Sequence, residues 1–208
     1  MSVINKLASS FAQKSQIANI SLAKHVTAKK DTEAVEELVV HLKSESKQTR
    51  HDCIKVLYEI GEREPALIAN HYATFIALLE CTDNRMQWGA MTALDYITDL
   101  QKEAVFKSLH TLTGVAGKGS VITRDHFVNI LACLAGTKKY KSTVMPLLLQ
   151  QIHSCPVNQL PMYAEKILPA MDPDHAAAFA RVLSGRLDTV AQDSKRKRIK
   201  KILSILNR

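Results

Sequence analysis

Apolar residues recur along this chain on a helical period. Leu57, Leu94, Leu131 and Leu168 are each 37 residues apart, and Leu203 follows after 35. Four residues before these leucines stand Cys53, Ala90, Phe127, Ala164 and Ile199; one before stand Val56, Ala93, Ile130, Ile167 and Ile202; three after stand Ile60, Ile97, Leu134, Met171 and Leu206. A strand would send these offsets to both of its faces, whereas a helix of 3.6 residues per turn gathers them on one side. The pattern therefore predicts five copies of one inward-facing helix, and a period of this length marks a repeat architecture.

Each of these helices is preceded by another apolar-periodic stretch, so the chain reads as helix pairs. The pairs are predicted over 31–43 with 48–62, 65–81 with 84–100, 101–115 with 121–135, 138–153 with 159–171, and 173–190 with 193–207. Asp31, Thr32 and Ser120 are suited to cap helix starts, and Pro173 suits a first helical position because its missing N–H would be an orphan there anyway. The glycine-bearing stretch 114–120 reads as the turn inside the third pair. Short connections make neighbouring helices antiparallel. One pair cannot cover its own apolar sides, so the copies must stack, and the expected fold is all-α, a right-handed α-α superhelix of about five helix pairs. Residues 31–207 are the expected array (31–62, 65–100, 101–135, 138–171, 173–207). Residues 1–30, with Ile4, Leu7 and Phe11 on one helical face, are expected to form an N-terminal helical cap; they share a lysine-rich, acid-free character with transit peptides but contain no arginine.

The segment Val144–Ile152 resembles the first helix of a HEAT repeat, with Pro146 at that family's proline position. Arg50, Arg124 and Arg196, seven residues before the shared leucines, stand where HEAT repeats carry an arginine in the second helix; Gln87 and Pro161 depart from it. This resemblance to armadillo-like helical solenoids covers about residues 31–207. It implies a binding scaffold.

Composition narrows the classes further. The 208 residues are 46% hydrophobic, with 7 glycines, 6 prolines and few aromatics, which disfavours both disorder and a turn-rich β fold. No apolar run is long enough to span a membrane. Cys53, Cys81, Cys133 and Cys155 contain no closely spaced pair, so they read as free thiols in a reducing, cytoplasmic setting and not as zinc ligands. Net charge is +8, but the excess lies at the ends: residues 1–30 hold 5 basic and 0 acidic groups, 31–180 hold 14 and 18, and 181–208 hold 9 and 2. A protein following a phosphate backbone along its repeats should be basic through the middle.

Second helices of such arrays line a concave surface, where positions six, five and two before each leucine are expected to face solvent. The partner-binding candidates from these rows are His51, Lys55, Trp88, His126, Asn129, Tyr163, Lys166, Arg198 and Lys201. Trp88, the sole tryptophan, and Tyr163 are the expected anchors, since large aromatic side chains carry much interface energy. The expected function is a non-enzymatic scaffold for a protein or peptide. Two further partners are weighed: nucleic acid held by the basic C-terminal helix, with a HEAT-like alkylation-repair glycosylase as the catalytic version, and a membrane surface met by residues 1–12. Trp88 and Asp95 lie on similar faces, but a second tryptophan and a uniformly basic strip are missing. The stretch 114–120 has two residues where a phosphate loop needs four, and follows a helix. No Ser/His/Asp set and no His-x-x-x-His pair occurs, so no catalytic residue, metal or cofactor is expected.

Overall fold

A computed structural model describes residues 2–11 and 16–206; residues 1, 12–15 and 207–208, which include part of the expected cap and the end of the last expected helix, lie outside the described residues. Among the described residues every regular element is helical. The α-helices are α1 (Ile17–Lys29), α2 (Thr32–Val40), α3 (Lys47–Arg63), α4 (Tyr72–Leu78), α5 (Asn84–Ile97), α6 (Lys102–Lys107), α7 (Leu109–Lys118), α8 (Val121–Ala135), α9 (Lys138–Ser154), α10 (Leu160–Ile167), α11 (Pro173–Arg186) and α12 (Asp193–Leu206). They form two compact units, residues 1–127 and 128–208, with α8 running through the division.

In the first unit α3 packs on α1, α2 and α5, and α4 packs on α5. In the second, α9 packs on α10 and α11, and α12 packs on α10 and α11. Capping follows the polar residues that precede each helix. Asp31 accepts from the Ala34 N–H at 3.0 Å, Ser46 from Thr49 at 3.2 Å, Asp83 from Arg85 at 3.0 Å, and Ser120 from Thr123 at 3.2 Å. Each bond satisfies a helix-start donor that has no partner within the helix. Helix α1 ends at Lys30, whose φ of 50° places a lysine in the left-handed region while the next N–H returns to Val26 at 3.1 Å.

The apolar stripe faces inward as the spacing requires. Leu57, Leu94 and Leu131 are fully buried, with Cys53, Ala90, Phe127, Ala164 and Ile199 buried one turn earlier. Leu168 and Leu203 are only half-buried, and at Leu168 the departure has a local cause. Pro169 has no N–H to donate back along the chain, so α10 stops at Ile167 and Leu168–Ala170 tightens into a 3-10 turn. Other boundaries shift for similar reasons. The helix expected over 65–81 begins as two 3-10 turns, Pro65–Leu67 and Ala69–His71, before α4. The helix expected over 101–115 breaks at Ser108.

Residues 114–120, expected as a turn, are helical as far as Lys118. Two helical glycines cost only about 1 kcal/mol each. Burial of Leu112 and Ala116 offsets this, as does Arg124, which donates to the Ala116 carbonyl at 3.1 Å and the Gly117 carbonyl at 3.4 Å.

None of the four cysteines is in a disulfide, and burial pushes the Cys53 thiol up to about 12. No described helix is long and apolar enough to cross a membrane.

In the second unit, Asp172 caps α11 and binds His175 at 2.6 Å and Lys141 at 3.1 Å; the His175 bond, followed by the Lys141 bond, lowers its carboxyl to about 2. Because the folded value lies below the ordinary carboxylate range, this group adds stability above roughly pH 4 and loses it as pH falls toward the folded value. Chemical denaturation of wild type and Asp172→Asn at a series of acidic pH values should show the difference shrinking from pH 5 to pH 2; a constant gap would refute this linkage.

Candidate functional site

The second-helix face of the first unit is built by α3, α5 and the start of α8. On α3 the residues Lys55, Glu59 and Arg63 are spaced four apart, which stacks them along one side of the helix. Lys55 Nζ lies 2.5 Å from a Glu59 carboxylate oxygen, and Arg63 bonds the other oxygen at 2.7 Å. Burial would raise the Glu59 carboxyl, but these two cations outweigh it and hold the group below the usual carboxylate range. Lys55 also stands 4.6 Å from the centre of the Tyr58 ring, a cation-π distance.

Trp88 on α5 completes this cluster. Its ring centre is 5.6 Å from that of Tyr58, tilted by 51°, and the residue is half-buried. One part of the indole thus packs on the preceding repeat while the rest stays open. Farther along α5, Tyr96 lies 6.2 Å from the His126 ring, and His126 Nδ1 is 2.7 Å from an Asp95 oxygen. Burial pushes the Tyr96 phenol up to about 12, assisted by the carboxylates of Glu62, Asp95 and Glu59. The face is therefore aromatic with acidic surroundings at this end.

At the other end His51 Nε2 lies 2.8 Å from Asp83, which is also 3.8 Å from Lys47. Burial would raise Asp83, but His51 and the Arg85 and Met86 N–H groups bring it below its ordinary value. His51 is buried, so it joins α3 to the α5 cap instead of facing outward.

The expected solvent rows need correction. The row five before each leucine turns largely inward: Asp52 and Gly89 are buried, and Tyr163 is only 1% exposed. A Cβ at Gly89 would meet Ile54 Cγ1 at 2.6 Å, showing how closely α5 approaches α3 there. Tyr163 consequently belongs to the core of the second unit and not to a surface anchor. Lys55, Trp88, His126 and Asn129 are half-buried, while Lys166, Arg198 and Lys201 are exposed. Arg198 makes a bidentate pair with Glu165, with bonds at 2.7 and 2.5 Å, which lowers that carboxyl. His51, Lys55, Trp88 and His126 lie in the first unit, and Asn129, Tyr163, Lys166, Arg198 and Lys201 in the second.

The spacing argument missed Tyr58, Glu59 and Tyr96, which follow the shared leucines by one or two positions, while Asp95 was considered only beside Trp88 for a catalytic role. For the α3 residues the regular run Lys55, Glu59, Arg63 was the signal, since opposite charges four apart on a helix lie beside one another.

No family model and no curated protein matches the chain. Solved structures do. An engineered protein is 18% identical, with 100% of this chain and 97% of that chain covered at a TM-score of 0.67. A designed armadillo repeat protein in complex with the peptide (KR)4 is 15% identical, with 99% and 98% covered at 0.70. Computationally designed armadillo repeat proteins for modular peptide recognition are 14% identical, with 97% of each chain covered at 0.67. At such identities the likeness shows the fold, which is that of an armadillo-like helical-repeat solenoid.

Proposed function

We propose that this chain is a non-enzymatic scaffold that binds an extended protein segment carrying cationic side chains across α3 and α5. The observation that carries the reading is the half-open Tyr58–Trp88 ring pair, with Glu59 acting on Tyr58 and the Glu62, Asp95 and Glu59 carboxylates around the neighbouring Tyr96. Aromatic faces and carboxylates together attract Lys and Arg by charge and by cation-π contact, and a partly desolvated tryptophan is a usual interface anchor. The complex of a structural neighbour with (KR)4 supports the same ligand chemistry.

Trp88 is the sole tryptophan, so its emission reports the site directly. Titration with a (KR)4 peptide should change that emission and give a saturable curve at physiological salt, with an alternating Glu/Asp peptide inert. Labelled-peptide anisotropy should show at least a tenfold weaker complex for Trp88→Ala, as expected of an interface anchor. Equal binding of both peptides, or an unaltered Trp88→Ala complex, would defeat the proposal. Duplex DNA binding that falls steeply with salt and disappears on reversing Lys197, Lys200 and Lys201 would favour nucleic acid instead.

A further inference from the structure

The N-terminal helical segment carries a surface that the repeat face does not use. Phe11 is 55% exposed and Ile17 is 70% exposed, although both are large apolar side chains. A groove of about 320 Å³ lies beside Phe11, lined by Lys6, Phe11, Ala18, Ser21, Leu22 and His25, so Phe11 borders the outer side of α1. The inward side of α1 is occupied by Asn19, Leu22, Ala23 and Val26, packed on the protein. Its outward side bears Ile17, Lys24, His25 and Lys29, all exposed. No acidic residue occurs in the first thirty positions.

We infer that this face is a peripheral docking surface for an anionic lipid bilayer. Two projecting apolar side chains bordered by cations are what the headgroup boundary accepts: the rings and branches enter the acyl margin while ammonium groups remain among the phosphates. Lysine supplies every cation on the face, apart from any charge on His25. A mobile point charge on a flexible stem suits a diffuse plane of headgroups, whereas a shaped acidic protein site would favour the fixed fork of arginine. α1 itself carries no carboxylate beside Lys24 and Lys29; Lys30, by contrast, lies 3.9 Å from Glu64. The attachment is superficial and reversible, since no described helix is able to span a bilayer.

The experiment is sedimentation of the full chain with phosphatidylcholine vesicles prepared with and without phosphatidylserine. Binding should require phosphatidylserine and weaken with added salt. A Phe11→Ser/Ile17→Ser variant should bind roughly tenfold more weakly, and Lys24→Glu/Lys29→Glu should weaken binding at least as much. Reversal of Lys197, Lys200 and Lys201 on α12 should leave most of the binding in place. Circular dichroism of each variant confirms that the helices remain. Failure of the wild type to sediment with anionic vesicles overturns the inference. So does equal sedimentation of the Phe11/Ile17 variant, or loss of binding only on α12 reversal. A concentration-dependent dimer that the Phe11/Ile17 variant abolishes, without vesicle binding, would assign the face to a second copy of the chain.

Discussion

Asp52→Ala should lower the stability of the first unit by about 3 kcal/mol, since each buried polar group left without its partner costs roughly 1–3 kcal/mol. Asp52 is 0% exposed, on the second helix of the first pair. One carboxylate oxygen accepts the Ser9 N–H at 2.8 Å and the other accepts the Asn19 side-chain amide at 2.9 Å. Asn19 in turn accepts the Ala8 N–H at 2.9 Å and donates to Gln16 at 2.9 Å. Removing the carboxylate strands the Ser9 N–H and loosens Asn19, whose own acceptor holds the neighbouring N–H. The loss should therefore concentrate in the 3-10 turn Ala8–Phe11 and in α1. In thermal denaturation the midpoint should fall by roughly 6–12 °C, taking about 2–4 °C per kcal/mol for a chain of this size. Hydrogen exchange at Ala8 and Ser9 should accelerate more than exchange in α5. Asp52→Asn keeps one acceptor and should lose about half as much. If Asp52→Ala changes stability by less than about 0.5 kcal/mol, the level of an ordinary surface substitution, the buried network is not what holds the amino-terminal segment.

Asp52 also shows where periodicity stopped being informative. The inward stripe was legible because its residues are apolar and recur at fixed offsets, and Leu57, Leu94 and Leu131 are buried accordingly. A row flanking that stripe is ambiguous, because an α3 position facing α1 is covered while an equivalent position with no neighbour is not. Asp52 looked like a surface carboxylate for its polarity, yet α1 and the segment before it pack over it and supply its donors. Tyr163 shows the same effect with an amphipathic side chain, whose body the core accepts readily. The aromatic face was partly legible: Trp88 was found by its type, whereas Tyr58 was missed because one residue past the leucine had been counted as neither stripe nor surface. Helix ends were least legible, since Pro169 and Ser108 act through single backbone groups that leave the apolar period intact.

The arginine ladder leads to the second large effect. The residue seven before the shared leucine reaches back to carbonyls ending the first helix of its pair, and four copies achieve this. Arg50 donates to Ser44 and Glu45, Gln87 to Leu79 and Cys81, Arg124 to Ala116 and Gly117, and Arg196 to Val190. Gln87, which breaks the arginine pattern, therefore keeps the physical role, because an amide NH2 also carries two donors. Pro161 cannot. In that copy the carbonyls at the end of α9 are taken by Arg186 from α11, which donates to Ile152 at 2.6 Å and Cys155 at 2.8 Å. Bonds from a charged donor contribute roughly 1.5–3 kcal/mol, and these are shorter than the Arg124 bonds. Arg186→Ala should accordingly destabilise the second unit by about 2–3 kcal/mol, toward the top of that range, and Arg124→Ala the first by about 1.5 kcal/mol, at its lower end. Arg186→Lys should recover part of the loss, as one ammonium can reach one carbonyl but not span both. Urea denaturation, with exchange at the carboxyl end of α9 for Arg186 and of α7 for Arg124, measures each. An Arg124→Ala loss equal to or larger than that of Arg186→Ala would show that the donor borrowed from α11 is incidental, and that the copy containing Pro161 holds its helix end by packing alone.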